Sequence, residues 1–131
     1  MGSAGTIDEA FASQLLERIR AAMAARDVDA ILDLATDDVI YDDMGSADAI
    51  RGKAEMGHLL RPLLERLSRA DVRLVASFLG TDGESIAARW NVTAAPDAGS
   101  EPVELDYMSI YTIRESKVSR FTVIFRHSGW L

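Results

Sequence analysis

The second half of the chain contains four long runs in which apolar and polar residues alternate, and this feature constrains the fold most. The runs are "DVRLVASFLG", "ESIAARWNVTA", "EPVELDYMSIYTI" and "KVSRFTVIFR". Alternation with a period of two is typical of strands that bury one face. The connectors "GTDGE", "APDAGSE" and "RES" are short and turn-like. Neighbouring runs are therefore predicted to pair as an antiparallel meander.

The first half of the chain is predicted to be helical, apart from one strand. Apolar residues recur every three or four positions from Asp8 to Ala25, which indicates an amphipathic helix. A shorter helix starts at Asp27 and ends before Thr36, and "DVIYDDM" follows as a strand. A third helix is predicted from about Lys53 to Leu67, with a kink or a break caused by Pro62. This order favours an α+β fold in which a curved antiparallel sheet wraps around three helices and leaves a conical cavity.

Length and charge limit the classes of protein and partner. The chain has 131 residues, 48% of them apolar, which suits a single domain spanning residues 1–131. Its net charge of −7 argues against nucleic acid or an anionic membrane as a partner, because phosphate groups are bound mainly through Lys and Arg. A hydrophobic small molecule fits this composition better.

Two further absences in the sequence limit cofactors and location. The chain has no cysteine and only two histidines, far apart, so we expect no metal site and no cofactor. No apolar run approaches the roughly 20 residues of a membrane helix, and the N-terminus lacks a signal-peptide core. We therefore expect a soluble, cytoplasmic protein.

Four stretches, taken in order, resemble the SnoaL-like proteins of the nuclear transport factor, ketosteroid isomerase and limonene epoxide hydrolase superfamily. They are "AARDVDAILDLATDDVIYDDMGS", "RGKAEM", "ARWNV" and "YTIRESKVSRFTVIF". The resemblance extends from the first helix to the last strand. It implies a cone-like, cystatin-like α+β barrel and usually a homodimer. The same cone serves enzymes, binding proteins and scaffolds, so function has to be argued from the site.

The strand in "VIYDDMGS" carries the first candidate catalytic residues. Side chains alternate along a strand, so Tyr41 and Asp43 share one face and Asp42 lies on the other. In the resemblance, Asp43 falls where ketosteroid isomerases carry their aspartate base. Tyr41 and Asp43 also fall where limonene epoxide hydrolases carry the Tyr and Asn that hold the attacking water. The alternative is that Asp43 caps the following turn.

The stretch "AARWNVT" supplies a second candidate pair, Arg89 and Asn91, which the resemblance places in the cone. In the epoxide hydrolases an Asp stands two positions after the aligned Arg, and another lies on the last strand. This chain has Asn91 and Val123 there, so direct addition of water to an epoxide is not expected. We expect Arg89 to orient Asp43 or polarise a carbonyl, and Asn91 to form a hydrogen bond. The alternative is an exposed salt bridge between Arg89 and a neighbouring acid.

Alternation in "VELDYMSIYTI" separates the set Leu105, Tyr107, Ser109 and Tyr111 from the set Glu104, Asp106, Met108 and Ile110. The resemblance assigns the first set to the cone, with Tyr107 as a hydroxyl donor and Tyr111 as a wall. The third helix and the last strand are expected to complete the substrate-binding lining with Met56, Leu60, Leu63, Phe121, Val123 and Phe125. The outward face is predicted to carry Trp90, Val92, Met108 and Ile110, an apolar set that suits a dimer interface. Of the histidines, His58 is expected to be exposed, and His127 lies in the tail.

Three functional hypotheses follow. The first is a cofactor-free cyclase or isomerase for a hydrophobic polyketide or terpenoid intermediate, with Asp43 as acid or base. The second is an epoxide-opening enzyme, and the third is a non-catalytic small-molecule binding or dimerisation module. A strict steroid isomerase is not expected, because the oxyanion hole of that family needs a Tyr and a protonated Asp. This chain has Ile19, and Met108 or Ser109, in those regions.

Overall fold

The chain folds into three helices packed against a six-stranded curved sheet, as seen in a computed structural model that describes residues 7–44, 48–65, 69–95 and 101–125. The helices are α1 (Glu9–Ala24), α2 (Val28–Asp33) and α3 (Lys53–Glu65). The strands are β1 (Ala35–Asp43), β2 (Ile50–Arg51), β3 (Arg69–Leu79), β4 (Ser85–Ala95), β5 (Val103–Arg114) and β6 (Lys117–Phe125). The predicted α+β fold is confirmed.

Carboxylate caps fix the starts of the first two helices. The side chain of Asp8 accepts a hydrogen bond from the backbone N–H of Phe11 at 2.8 Å, and Asp27 accepts one from the N–H of Ala30 at 3.1 Å. Each bond satisfies an N–H group that the helix itself leaves without a partner. Pro62 lies inside α3 without dividing it. The predicted end of this helix at Leu67 lies outside the described residues.

The sheet is mixed and open, which the prediction of a wholly antiparallel sheet missed. Its strand order is β2-β1-β6-β5-β4-β3, and β3 to β6 form the predicted antiparallel meander. β1, however, pairs with β6 in parallel. Within the described residues, β2 and β3 form the two edges, so the sheet curves without closing into a barrel. Alternation along one strand does not specify a distant partner, which is why this pairing was not predicted.

The main core lies between the helices and the concave, inner face of the sheet. Trp90 and Ile86 of β4 are fully buried, as are Val39 of β1 and Val118 of β6. Burying a side chain of this size stabilises the fold by about 1.5–3 kcal/mol. None of the helices in the described ranges has the length and apolar composition that a membrane crossing requires.

Candidate active site

A partly open cavity of about 130 Å³ lies between the helices and the inner face of the sheet. For scale, a dry apolar cavity of about 150 Å³ holds a benzene-sized guest, whereas pockets for drug-sized ligands measure roughly 300–1,000 Å³. The space therefore suits a single ring or a short chain. A polycyclic molecule would not fit inside it.

The cavity is lined by three helices and four strands. The described lining residues are Ile19, Met23, Ile31, Tyr41, Met56, Leu60, Leu63, Leu64, Val92, Leu105, Tyr107, Ser109, Tyr111, Phe121 and Val123. The structure thus brings together Tyr41 and all the residues predicted for substrate binding except Phe125, whose side chain lies outside the described part. Sequence reasoning missed Ile19, Met23, Ile31 and Leu64, although their helical spacing already indicated a buried face.

Phe121 and Val123 of β6 form an apolar floor in the cavity, and cross-strand pairing places polar side chains on either side of it. Tyr41 on β1 is level with Phe121 on β6, and Phe121 is level with Tyr111 on β5. Asp43, Val123 and Ser109 form the neighbouring row.

Paired strands lie about 4.8 Å apart, so the β1 and β5 positions of each row are separated by roughly 10 Å. A ligand seated over Phe121 and Val123 would have Tyr41 and Asp43 on one side. Ser109 and Tyr111 would lie on the other.

Tyr41 and Asp43 occupy the β1 side of this floor. Tyr41 is buried, and its pKa is raised, first by burial and then by the charge of Asp43. Asp43 is half-buried and is not among the described lining residues, so its carboxylate lies at the rim of the cavity, close to the Tyr41 phenol. Asp42 points to the other face, where it accepts a hydrogen bond from Arg120 at 2.6 Å. The predicted outward orientation of Asp42 is confirmed, and Asp43 has the same parity as Tyr41 along β1.

The β5 side of the floor carries three buried hydroxyl groups. Tyr107 donates a hydrogen bond to the sulfur of Met23 at 3.4 Å. Tyr111 accepts one from the indole N–H of Trp90 at 3.0 Å, and its ring meets Phe121 edge to face with centroids 5.6 Å apart. Burial raises the pKa of Tyr107, and it raises the pKa of Tyr111 to about 12. Both phenols are therefore neutral hydrogen-bonding groups at physiological pH.

The prediction that Arg89 and Asn91 face the cone is wrong. In β4 the buried, inward set contains Trp90 and Val92, and Val92 lines the cavity. Arg89 is exposed on the convex, outer face, and Asn91 is buried there, accepting a hydrogen bond from Arg73 at 3.0 Å. The physical reason is that burying Trp90 and Val92 is favourable, whereas burying the guanidinium of Arg89 is costly. The same result overturns the outward placement of Trp90 and Val92.

The outer face holds the polar partners that sequence analysis offered as alternatives. Arg89 lies 3.9 Å from Asp106 of β5, and the side-chain amide of Asn91 donates a hydrogen bond to Asp106 at 3.3 Å. The alternative of an exposed salt bridge for Arg89 is thus the one observed. The predicted outward orientation of Asp106 and Met108 is confirmed, since Met108 is exposed and the cavity-lining residues of β5 are its neighbours in the chain.

His58 is not among the described residues that line the cavity. His58 is exposed, as predicted, and lies 3.9 Å from Glu55 on the same helix. His127 lies outside the described residues. The described ranges contain no group of three or more His, Cys, Asp or Glu residues arranged to hold a metal ion.

The sequence profile of the SnoaL-like domain matches residues 16–121, which include α3, the first three strands of the meander, the start of β6 and most of the cavity lining. The chain belongs to the SnoaL-like domain family. This match confirms the resemblance noted in the sequence. No curated protein matches this SnoaL-like domain in sequence.

Solved structures share the fold of this SnoaL-like domain along most of its length. A candidate polyketide cyclase from Pseudomonas putida is 25% identical with a TM-score of 0.72, covering 91% of this chain and 94% of that one. An LEH-like epoxide hydrolase from M. tuberculosis is 20% identical with a TM-score of 0.69, covering 88% and 83%. The epoxide hydrolase/cyclase-like enzyme SalBIII, linked to pyran ring formation in the polyether salinomycin, is 19% identical with a TM-score of 0.77, covering 90% and 92%.

Proposed function

We propose that this SnoaL-like domain is a cofactor-free isomerase or cyclase that moves a proton within a small, apolar carbonyl compound. The observation that carries the proposal is the floor of Phe121 and Val123, with a carboxylate at one side and neutral hydroxyls at the other. The family match and the candidate polyketide cyclase among the similar structures support a polyketide intermediate as the natural substrate, and a terpenoid intermediate is the alternative. The volume of the cavity limits the reacting part to one ring or a short chain.

Asp43 is the proposed base. It is the carboxylate that shares the inner-face parity of Tyr41, and its charge acts on that buried phenol. Asp43 is half-buried beside the cavity, while the apolar floor holds the carbon skeleton. Removal of a proton next to a carbonyl group places negative charge on the carbonyl oxygen. A neutral hydroxyl on the opposite wall stabilises that charge by donating a hydrogen bond.

The simplest probe of this chemistry is the conversion of 3-cyclohexen-1-one to 2-cyclohexen-1-one. Asp43 would remove a proton from the carbon between the carbonyl and the double bond. The dienolate electrons shift, and the proton returns at the far end of the former double bond. The product is a conjugated ketone, so its ultraviolet absorbance reports turnover directly. A six-membered ring also suits a cavity of about 130 Å³.

The test compares Asp43→Asn with Asp42→Asn, which removes the same charge one residue away on the outer face. Loss of a general base costs about 10²- to 10⁴-fold in rate, so we expect a fall of that size in kcat/KM for Asp43→Asn. Asp42→Asn should stay within about twofold of the unmodified protein. Thermal unfolding of both variants checks that they fold. Equal activity of the two variants would refute the role of Asp43.

Epoxide opening has less support in this cavity. The described lining residues contain neither an acid nor an arginine, and Arg89, the residue that suggested such chemistry, lies on the outer face. If the protein binds cyclohexenone without turnover, the third hypothesis, a non-catalytic binding module, becomes the better description.

We also propose that a second copy of the chain covers the outer face, which we define by Phe78, Met108, Ile110 and Ile124. Phe78, Met108 and Ile124 are 61%, 37% and 41% exposed, and cross-strand pairing makes the set contiguous through Ala87. Contiguous apolar patches on a protein surface commonly mark association sites. Sedimentation should show a dimer that Met108→Glu converts to a monomer, with Leu74→Glu on the edge strand as the control. A monomeric unmodified protein would contradict this.

A further inference from the structure

Trp90 and Tyr111 form a buried hydrogen bond, next to the hydroxyl of Ser109, and the direction of this bond can be worked out without seeing hydrogens. The indole N–H of Trp90 is only a donor, so the Tyr111 oxygen must be the acceptor in their 3.0 Å contact. Ser109 is the preceding inner-face residue of β5, and both Ser109 and Tyr111 line the cavity. Tyr111 is 2% exposed and Ser109 is 3% exposed.

Counting hydrogens shows that the hydroxyls of Ser109 and Tyr111 have a donor to spare. The two hydroxyls carry two hydrogens, and only one of them can lie between the two oxygens. Trp90 cannot accept the other. Among the described residues, the Tyr111 hydroxyl is seen to accept a hydrogen bond but not to donate one. The remaining hydrogen is therefore available to an acceptor inside the cavity.

Tyr107, which sequence analysis favoured as the donor, differs in this respect. Its hydroxyl hydrogen already has an acceptor in the sulfur of Met23. Tyr111 instead receives a hydrogen bond from Trp90, and accepting one strengthens a hydroxyl as a donor. The indole also fixes the phenol in place.

We infer that Tyr111 and Ser109 form an oxygen-binding subsite, positioned by Trp90, that takes the neutral acceptor oxygen of a small cyclic ketone or ether. The inference deepens the proposed function and rests on it for the presence of a ligand in the cavity. Charged ligands are disfavoured, since the described lining offers no opposite charge to replace lost hydration. Tyr111 also stays a neutral donor, because its pKa is raised to about 12 by burial.

The test uses two probes of the same shape, cyclohexanone and methylenecyclohexane, in which a CH₂ group replaces the oxygen. Dissociation constants are measured for the unmodified protein, Tyr111→Phe and Tyr107→Phe. The ratio of the two constants cancels changes in the fit of the ring. We expect Tyr111→Phe to shift this ratio about tenfold against the ketone, the worth of one hydrogen bond. Tyr107→Phe should shift it less than about twofold.

A second readout does not depend on any substitution at Tyr111. In a Trp130→Phe background the indole N–H signal in a nitrogen–proton NMR spectrum belongs to Trp90 alone. Cyclohexanone should move this signal more than methylenecyclohexane does, because only the ketone draws on the hydroxyl that Trp90 contacts. Residual binding of methylenecyclohexane by Tyr111→Phe shows that this variant is folded.

Two results would overturn the inference. If Tyr111→Phe leaves the ratio unchanged and both ligands move the Trp90 signal equally, the subsite is refuted, while turnover that depends on Asp43 would still stand. If neither ligand binds the unmodified protein, the cavity is not a ligand site. The proposed function then fails together with the subsite.

Discussion

The two faces of the sheet carry different kinds of polar group, although they are built from alternate residues of the same strands. On the outer face, charges meet charges: Arg120 bonds to Asp42 at 2.6 Å, and Arg89 lies 3.9 Å from Asp106. On the inner face, the described cavity lining contains hydroxyl groups and no charge. Asp43, at the rim, is where the two environments meet.

This difference follows from the cost of removing charges from water. An exposed pair remains hydrated, so its formation contributes little and its loss costs little. A hydroxyl keeps its hydrogen bonds inside the cone without a counter-ion, whereas an isolated buried charge has no such compensation. A cavity of this kind favours neutral ligands. It suits a reaction in which the one charged side chain, Asp43, lies at the rim.

The largest effect should come from placing a charge on the inner face. Val123→Lys buries an ammonium group at a position that is 5% exposed, and we expect it to lower the free energy of unfolding by about 3–5 kcal/mol. Ile124→Lys, next in sequence and 41% exposed on the outer face, should change it by less than about 0.5 kcal/mol. Urea denaturation measures both. Similar losses of unfolding free energy in the two variants would contradict the proposed difference between the faces.

Alkaline pH should destabilise the inner face through its tyrosines. Burial raises the pKa of Tyr111 from 10.0 to about 12, so the unfolded chain loses this proton first as pH rises. The stabilising contribution is fully present below pH 10 and is lost between pH 10 and pH 12, at about 1.4 kcal/mol per pH unit. Denaturation at a series of pH values should show this slope reduced in Tyr111→Phe. An unchanged slope in that variant would contradict the assignment.

Breaking the buried contact between Trp90 and Tyr111 should have an intermediate effect. Tyr111→Phe leaves the indole N–H of Trp90 without its acceptor, at a cost of about 1–3 kcal/mol in unfolding free energy. Tyr107→Phe removes a bond to the sulfur of Met23, which is a weak acceptor, so we expect a loss of less than about 1 kcal/mol. Denaturant titration at neutral pH compares the two. A larger loss in Tyr107→Phe would reverse this ranking of the hydroxyls.

The smallest effect should come from Arg89. Arg89→Ala removes an exposed side chain on the outer face, and we expect kcat/KM with 3-cyclohexen-1-one to stay within about twofold. This outcome would support the position of Arg89 on the outer face, as in the structure, over the position in the cone that the resemblance implied. A hundredfold loss in kcat/KM would instead show that Arg89 acts in the active site.

Sequence reasoning recovered the elements and most of the cavity lining because both depend on local periodicity. Leu105, Tyr107 and Ser109 form one alternating set in the sequence and one wall in the structure. The α+β fold was likewise predicted from the order of helices and strands along the chain.

The misplacement of Arg89 and Asn91 has a specific cause. Alternation divides β4 into two sets but does not say which set faces inward, and the choice followed the resemblance. The apolar character of Trp90 and Val92 would have given the correct answer. The parallel pairing of β1 with β6 and the bond between Trp90 and Tyr111 join distant segments, and no local pattern records them.

The most direct test of the central claim, that the working site lies on the inner face, is to fill the cavity and measure turnover. Val123→Phe extends the floor into the space of about 130 Å³, and Ile124→Phe adds the same ring to the outer face. For Val123→Phe we predict a stable protein whose kcat/KM with 3-cyclohexen-1-one falls on the order of 100-fold, since the substrate can no longer reach its reactive position. Ile124→Phe should retain activity within about twofold. Full activity in a folded Val123→Phe variant would contradict the claim.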